Sequence, residues 1–481
     1  MAVDMIARMM AMGNGGGTSD AYTKAETDAL LDTKADKATT YTKNEVDSEL
    51  AGKLDTADVD STLSESSTNP VQNKVIAHEI NTIRMALGGV LLGLRIDKQN
   101  NDPDTRVEYL YDAVGLTPAY MDFTGGSFNY GSFANTWFVK NNRPVALTFA
   151  GEVDYELSHT DFTKRLDGVT ASDIEDATYA GNFMAEIPCV YVKRWEDERY
   201  NYIAFSDKKM NDDFLAQAHT NASGVVNDVF YAPMFKGFKD TNSKLRSLMG
   251  TIPTGSTTAA QEVAAAEACG SGWYLWDKAK IDLIMDLIIL LSKSTDCQGK
   301  IGTGVCNTGN SQSNLVKSGY ETDGATKSAN AQFFGSEGND SNSNYGKHHM
   351  SAFFIEDLWG NRWDRVPGFN LDNNVYKVKM TPPYALESDT TYTTLSNIAV
   401  PNEGWVKNMS SGVYGFVPTA VGESKSTGFC DYFYKNASSV RLALFGGGCY
   451  PGLKAGRYWI LHGGASHSDW RVGGSPCFNR P

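Results

Sequence analysis

Residues 22–59 form a polar segment, almost without aromatic side chains, that repeats with a period of nineteen. Tyr22-Thr-Lys-Ala-Glu-Thr-Asp28 is answered by Tyr41-Thr-Lys-Asn-Glu-Val-Asp47, and Leu31, Lys34 and Asp36 by Leu50, Lys53 and Asp55. One copy of such a segment cannot bury a core. Either it is a disordered linker or several copies wind together. The residues that follow favour winding. Asn69-Pro70-Val-Gln72 reads as a helix start, with Asn as N-cap, Pro at the first helical position and Gln as its capping-box partner. Ile76, Ile80, Ile83 and Leu87 are then spaced four, three, four, a heptad seam, and isoleucine at core positions favours three strands. The seam covers less than two heptads, short of a sustained coiled coil. These features predict a trimeric stalk over residues 22–87, preceded by an attachment segment over residues 1–21.

Gly88-Gly89 breaks this pattern, and from residue 88 to residue 481 the chain changes character. Short β-rich runs (Leu92–Ile96, Thr105–Tyr109, Val145–Phe149, Cys189–Val192) alternate with long polar loops such as Thr303–Asn344. Helices are expected around Ala260–Ala268 and Ala279–Ser292. The fold class predicted for this part is an irregular α+β head. The longest apolar run, Ile281–Leu291, is eleven residues with two aspartates, too short and too charged for a membrane span. The N-terminus lacks a basic leader with a long apolar core, so no signal peptide is expected. Seven cysteines, an odd number without a CxxC pair, indicate neither a disulfide framework nor a structural zinc site; Cys449 and Cys477 are read as free thiols.

The last forty residues hold a frame of small residues (Gly446 to Gly448, Ala455-Gly456, Ala465-Ser466, Gly473) that alternates with large, chemically unrelated side chains. The large residues follow neither a strand nor a helix period, and a mixed set of Tyr, Trp, Arg, His and Asp on a rigid frame is the composition of a binding surface. A net charge of −14 argues against wrapping nucleic acid. Locally, however, Arg441, Lys454, Arg457, Arg471 and Arg480 stand against Asp469 alone, an excess of +4 that favours an anionic or sugar-rich ligand.

Several of these groups resemble known families. The Tyr-Thr-Lys repeat and Ser66-Ser-Thr-Asn-Pro-Val-Gln-Asn-Lys74 are similar to shaft segments of bacteriophage tail fibres. Leu94–Asp97, Asn101–Tyr109 and Asp112–Gly115 resemble the opening of head domains on fibres of phages infecting gut bacteria. Ile355-Glu-Asp-Leu-Trp-Gly-Asn-Arg-Trp363 is similar to the signature of the C-type-lectin-like fold shared with formylglycine-generating enzymes. The C-terminal frame resembles the variable region, here about residues 441–478, of proteins diversified by retroelements. The resemblance implies a lectin-like receptor-binding head on a trimeric stalk, located at the distal end of a virion tail fibre and made in the host cytoplasm. It implies a host-surface glycan or protein as ligand and tail or baseplate proteins as N-terminal partners. It also implies a homotrimer with no cofactor, no nucleic acid and no membrane insertion.

The positions resembling the variable ones are Phe445, Tyr450, Leu453, Lys454, Arg457, Trp459, His462, His467, Asp469 and Arg471, with Tyr450 and Trp459 as aromatic anchors and Arg457 and Arg471 as forks for carboxylate or phosphate. Tyr458 and Trp459 are adjacent, so in a strand only one faces out. Trp470 is assigned to the core, Arg441 to ordering the fold, and Trp359, Asn361 and Trp363 to structure, Asn361 by holding a loop. A calcium ion near that segment would use Asp357 and Asp364, but no EF-hand-like spacing supports one. His348 and His349 are consecutive and point to opposite faces in a strand. As for chemistry, the formylglycine-generating reaction needs two close cysteines, and Cys430, Cys449 and Cys477 are widely spaced. A depolymerase needs paired carboxylates, and no spacing singles out a pair. The sequence therefore points to a non-enzymatic adhesin, with a structural fibre segment docking onto another virion protein as the alternative.

Overall fold

The computed structural model describes residues 23–34, 89–336, 345–436, 439–450, 452–457 and 459–481, which fall into two units, residues 1–88 and 89–481. In the first unit the described element is the helix Lys24–Lys34. Thr23 and Glu26 start it as a capping box: Glu26 Oε2 accepts from the Thr23 amide and hydroxyl, both at 2.8 Å, and Thr23 Oγ1 accepts from the Glu26 amide at 3.3 Å. The Asn69–Gln72 helix start, the Ile76–Leu87 seam and the attachment segment lie outside the described residues.

The second unit is mixed and rich in sheet. Its core is organised on the helix Lys278–Ser292, every residue of which is buried. A helix buried all round is stable only inside a protein; here the Ile-Leu run covers most of the surface, and Lys278, Asp282 and Asp286 line one charged stripe at i, i+4 and i+8. Asp277 caps its start by accepting from the Lys280 amide, and Lys293 in the left-handed region ends it. The charges that the helix takes into the interior are paired: Lys278 with Asp282 and Lys280 with Asp277, each at 2.7 Å. The second expected helix spans Ala259–Glu267, closed by a Thr258–Gln261 capping box.

Of the six sheets among the described residues, three are large. A four-stranded antiparallel sheet runs in the order Val107–Tyr111, Leu91–Asp97, Tyr200–Ser206, Tyr191–Glu196. A six-stranded sheet places the final strand Pro476–Phe478 between Trp273–Leu275 and Val229–Pro233. The largest sheet, nine-stranded, carries the C-terminal frame. Arg441–Phe445 pairs with Trp363–Asp372 on one side and Trp459–Leu461 on the other, followed by Tyr432–Lys435, Gly404–Gly412 and Gly415–Val421. Among the described residues, no helix is long and apolar enough to cross a membrane. All seven cysteines are free.

The Trp359–Trp363 segment is structural. Trp359 is buried and donates to Gly302 O at 2.9 Å. Asn361 clamps the loop at Val316 from both sides, accepting from its amide and donating to its carbonyl, each at 2.9 Å. Arg362 joins three segments through Gly237 O, Thr254 O and Gly474 O. The small residues of the frame mark close approaches: a Cβ on Gly473 would sit 2.2 Å from Thr254 O, and one on Gly446 2.9 Å from Leu358 O. Because the Gly473 neighbour is backbone and cannot step aside, Gly473→Ala is expected to cost about 1–3 kcal/mol or more, read as a lower denaturation midpoint.

Candidate functional site

Alternation along the strands of the large sheet sorts its side chains into two faces. Ala443, Phe445, Trp459, Leu461 and Phe433 join the main core, whereas Leu444, Ile460, Tyr432 and Tyr434 gather on the other face with Trp363, Val472 and Trp405. The ten residues proposed from sequence divide accordingly.

Three of them point inward, which corrects the sequence reading. Phe445 and Trp459 are fully buried and pack on each other with ring centroids 4.8 Å apart, and Trp459 meets Phe369 edge-on at 5.3 Å. The strand period decides this, since Trp459 takes the inward position of its strand. Arg457 is also buried. Its Nη2 reaches Asp286 at 2.9 Å and Asp282 at 3.4 Å on the central helix, and its amide donates to Asp431 at 2.8 Å. An arginine committed to two buried carboxylates is not offered to a ligand. Leu453 lies outside the residues whose side chains are described.

The other six are half-buried at the surface. Arg471 forks onto Asp469, with Nε to Oδ1 at 2.8 Å and Nη2 to Oδ2 at 2.5 Å, and its Nη1 lies 3.4 Å from the Tyr450 hydroxyl. This guanidinium stands 6.0 Å from the Tyr450 ring and 5.9 Å from the Trp470 ring. Trp470, assigned to the core, is only half-buried and packs with Tyr450 against Cys449, Val305, Leu315 and Val316. His462 and His467 meet edge-to-face at 5.5 Å, and His462 lies 5.9 Å from the Tyr434 ring. Burial holds the pKa of both imidazoles below its ordinary value; nearby Arg441 and Arg471 add to this at His462, and His462 itself and Arg365 at His467. Both are therefore neutral at pH 7. Lys454 sits 3.9 Å over the Tyr432 ring, and the Tyr432 hydroxyl donates to Glu403 at 2.7 Å.

Of the local charge excess read from sequence, in which Asp469 is already counted, the fold meets Arg457 through Asp286 and Asp282, while Arg471 is held by Asp469. The surface that results combines aromatic and imidazole side chains with Lys454 and a neutralised ion pair, a set suited to stacking and hydrogen bonding. Tyr432, Tyr434 and Trp405 were missed from sequence. Tyr432-Phe-Tyr434 is the signal that marks them, two tyrosines flanking one inward phenylalanine at strand spacing.

Among the described residues, His349, Glu356 and Asp357 bring ligating atoms within 4.8 Å of one another, all buried. The two histidines have separate partners: His348 meets Glu321 at 2.6 Å, and His349 meets Asp357 at 2.8 Å. His349 Nε2 faces Tyr320 O at 2.7 Å. An oxygen acceptor beside each ring nitrogen favours the doubly protonated imidazole. Burial alone would lower its pKa, but Asp357 and Glu356 override that and carry it up to about 10. Asp364 is engaged elsewhere, by Lys236 and Ser475 at 2.7 Å each. Asp357 and Asp364 thus serve different networks. No protein-family model and no curated protein matches this sequence.

Proposed function

We propose that the chain is a non-enzymatic adhesion protein, a tail-fibre receptor-binding subunit with a lectin-like head on a trimeric stalk. Its C-terminal segment meets a host-surface glycan or protein. The observation that supports the reading is the patch on the large sheet. Tyr450, Asp469, Arg471, His462, His467 and Lys454 stay at the surface beside the half-buried Tyr434 and Trp405, with Tyr432 buried beneath Lys454, while the glycines and alanines between them fix the backbone. Half-buried aromatics with few rotors lose little entropy on binding, and three copies on one stalk would multiply weak contacts. Asp282, Asp286 and Asp364 act as counter-ions, each holding a cation at 2.7–2.8 Å, an arrangement that suits scaffold better than acid–base chemistry.

The test is adsorption of the purified protein to susceptible cells, paired with thermal melting. A variant combining Tyr450→Ala and His462→Ala is expected to lose at least about tenfold in cell binding, since truncated aromatic anchors carry most of an interface's energy, with a stability change within about 1 kcal/mol. Undiminished adsorption by that double variant sinks the reading. Normal adsorption with defective particle assembly would identify a docking surface instead.

A further inference from the structure

The chain from His349 to Asp357 doubles back as a tight hairpin. Ser351–Ala352 pairs with Ile355–Glu356, and Phe353 and Phe354, both in the left-handed region, make the turn. The Asp357 amide donates to Met350 O at 2.8 Å and closes the open end. His349 is thereby set opposite Glu356 and Asp357, and the ligating atoms of the three lie within 4.8 Å of one another. His349 and Asp357 are fully buried and Glu356 is one-tenth exposed.

The imidazole is held from behind, where Nε2 faces Tyr320 O at 2.7 Å. A histidine that donates this proton to a backbone carbonyl turns the lone pair of Nδ1 forward, as metal-ligating histidines do. Here Nδ1 faces two carboxylates, Asp357 Oδ2 at 2.8 Å and Glu356 Oε1 at 3.6 Å. A nitrogen lone pair and two anionic oxygens converge only on a cation.

The charge count favours a metal ion over a proton. Among the described residues, His349 is the one basic side chain in an ion pair with either carboxylate. Their other partners are neutral donors: the Gly319 amide and Ser328 hydroxyl on Glu356, and the Asn361 side chain on Asp357. A proton on His349 offsets one of the two negative charges, whereas a divalent ion offsets both. A separate observation points the same way. Asp357 Oδ1 is buried with no hydrogen-bond partner, a costly state for an anionic oxygen and a spare ligand on the carboxylate that already faces the imidazole.

We propose that His349, Glu356 and Asp357 bind one divalent transition-metal ion of the zinc type, which fastens the hairpin beside the Gly319–Tyr320 loop. One nitrogen with carboxylate oxygens suits such an ion better than calcium or magnesium, which take oxygen ligands. Burial makes it a structural site. In the metal-free chain a proton stands between His349 and Asp357, and ion and proton compete for that place. The site shares no residue with the receptor patch.

The test uses the full chain, stripped with chelator and dialysed, and the chlorides of zinc, calcium and magnesium. Calorimetric titration is expected to show one zinc ion per chain, bound at least about 100-fold more tightly than calcium or magnesium. Zinc is also expected to raise the thermal midpoint. Asp357→Asn and Glu356→Gln, which keep side-chain shape, are each expected to weaken zinc at least about tenfold. A double variant, His462→Ala with His467→Ala, is expected to bind zinc as the wild type does. X-ray absorption of the zinc-bound wild-type chain is expected to show one imidazole, oxygen donors and no sulfur, and it decides alone should the carboxamide variants fail to fold. The proposal is overturned by absence of stoichiometric zinc binding, by equal affinity for calcium, or by unchanged affinity in the folded carboxamide variants. Loss of zinc in the double histidine variant, or a spectrum with two imidazoles or a thiolate, overturns it equally.

Discussion

Arg457→Ala is expected to destabilise the head by about 3 kcal/mol, because removing one member of a buried ion-pair network leaves its partners uncompensated. The side chain joins Asp286 and Asp282, and its amide holds Asp431, whose buried carboxyl sits well above the usual carboxylate range. Asp286 retains Arg194 at 2.8 Å and Asp282 retains Lys278 at 2.7 Å. That places the loss at the lower end of the range of about 3–5 kcal/mol seen when such pairs are broken. Urea denaturation of the variant beside the wild-type chain measures it directly. An unchanged midpoint would return Arg457 to the surface and restore it as a ligand contact.

The second large effect is set by pH. In an unfolded chain the His349 imidazole titrates near 6.5, whereas in the fold, between Asp357 and Tyr320 O, it keeps its proton up to about 10. Below about pH 6.5 both states are protonated and the stabilisation is complete; as pH rises through about 10 it is lost. Glu356 acts in the same direction. Burial pushes its carboxyl up from 4.5 to about 7, so stability also falls as pH rises across that interval. The denaturation midpoint is therefore expected to drop between pH 6.5 and 10, by on the order of 3–5 kcal/mol in unfolding free energy. His349→Leu is expected to lose a similar amount at pH 6 and to flatten the profile. A wild-type midpoint constant over that interval would show that the proton is not held there.

Parts of this architecture were legible in the sequence because they depend on local period. The apolar run at Ile281–Leu291 announced a buried helix, another was expected around Ala260–Ala268, and Trp359–Trp363 announced a structural segment. The small residues of the C-terminal frame were readable as places of close backbone approach. What the sequence hid are the long-range partners. Arg457 meets Asp286 and Asp282 from 171 and 175 residues away, and nothing near it in the chain distinguishes it from Arg471, whose partner is two residues distant. Phe445 and Trp459 were placed outward because large residues in a glycine-rich stretch look variable, yet strand alternation assigns them to the interior. Tyr432 and Tyr434 went unnoticed because they belong to a strand preceding the frame. The His349 network escaped because its members are gathered by a turn, Asp357 in the left-handed region facing back to residue 349.

The division of the large sheet into two faces has a practical corollary for engineering. A library built on this protein can randomise positions 450, 454, 462 and 467 singly, but 469 and 471 must be drawn as matched pairs, since each neutralises the other. Positions 445, 457 and 459 are to be left untouched. Sampling them would spend diversity on clones that never reach a folded state, and the fraction of displayed, protease-resistant members would fall with each interior codon opened.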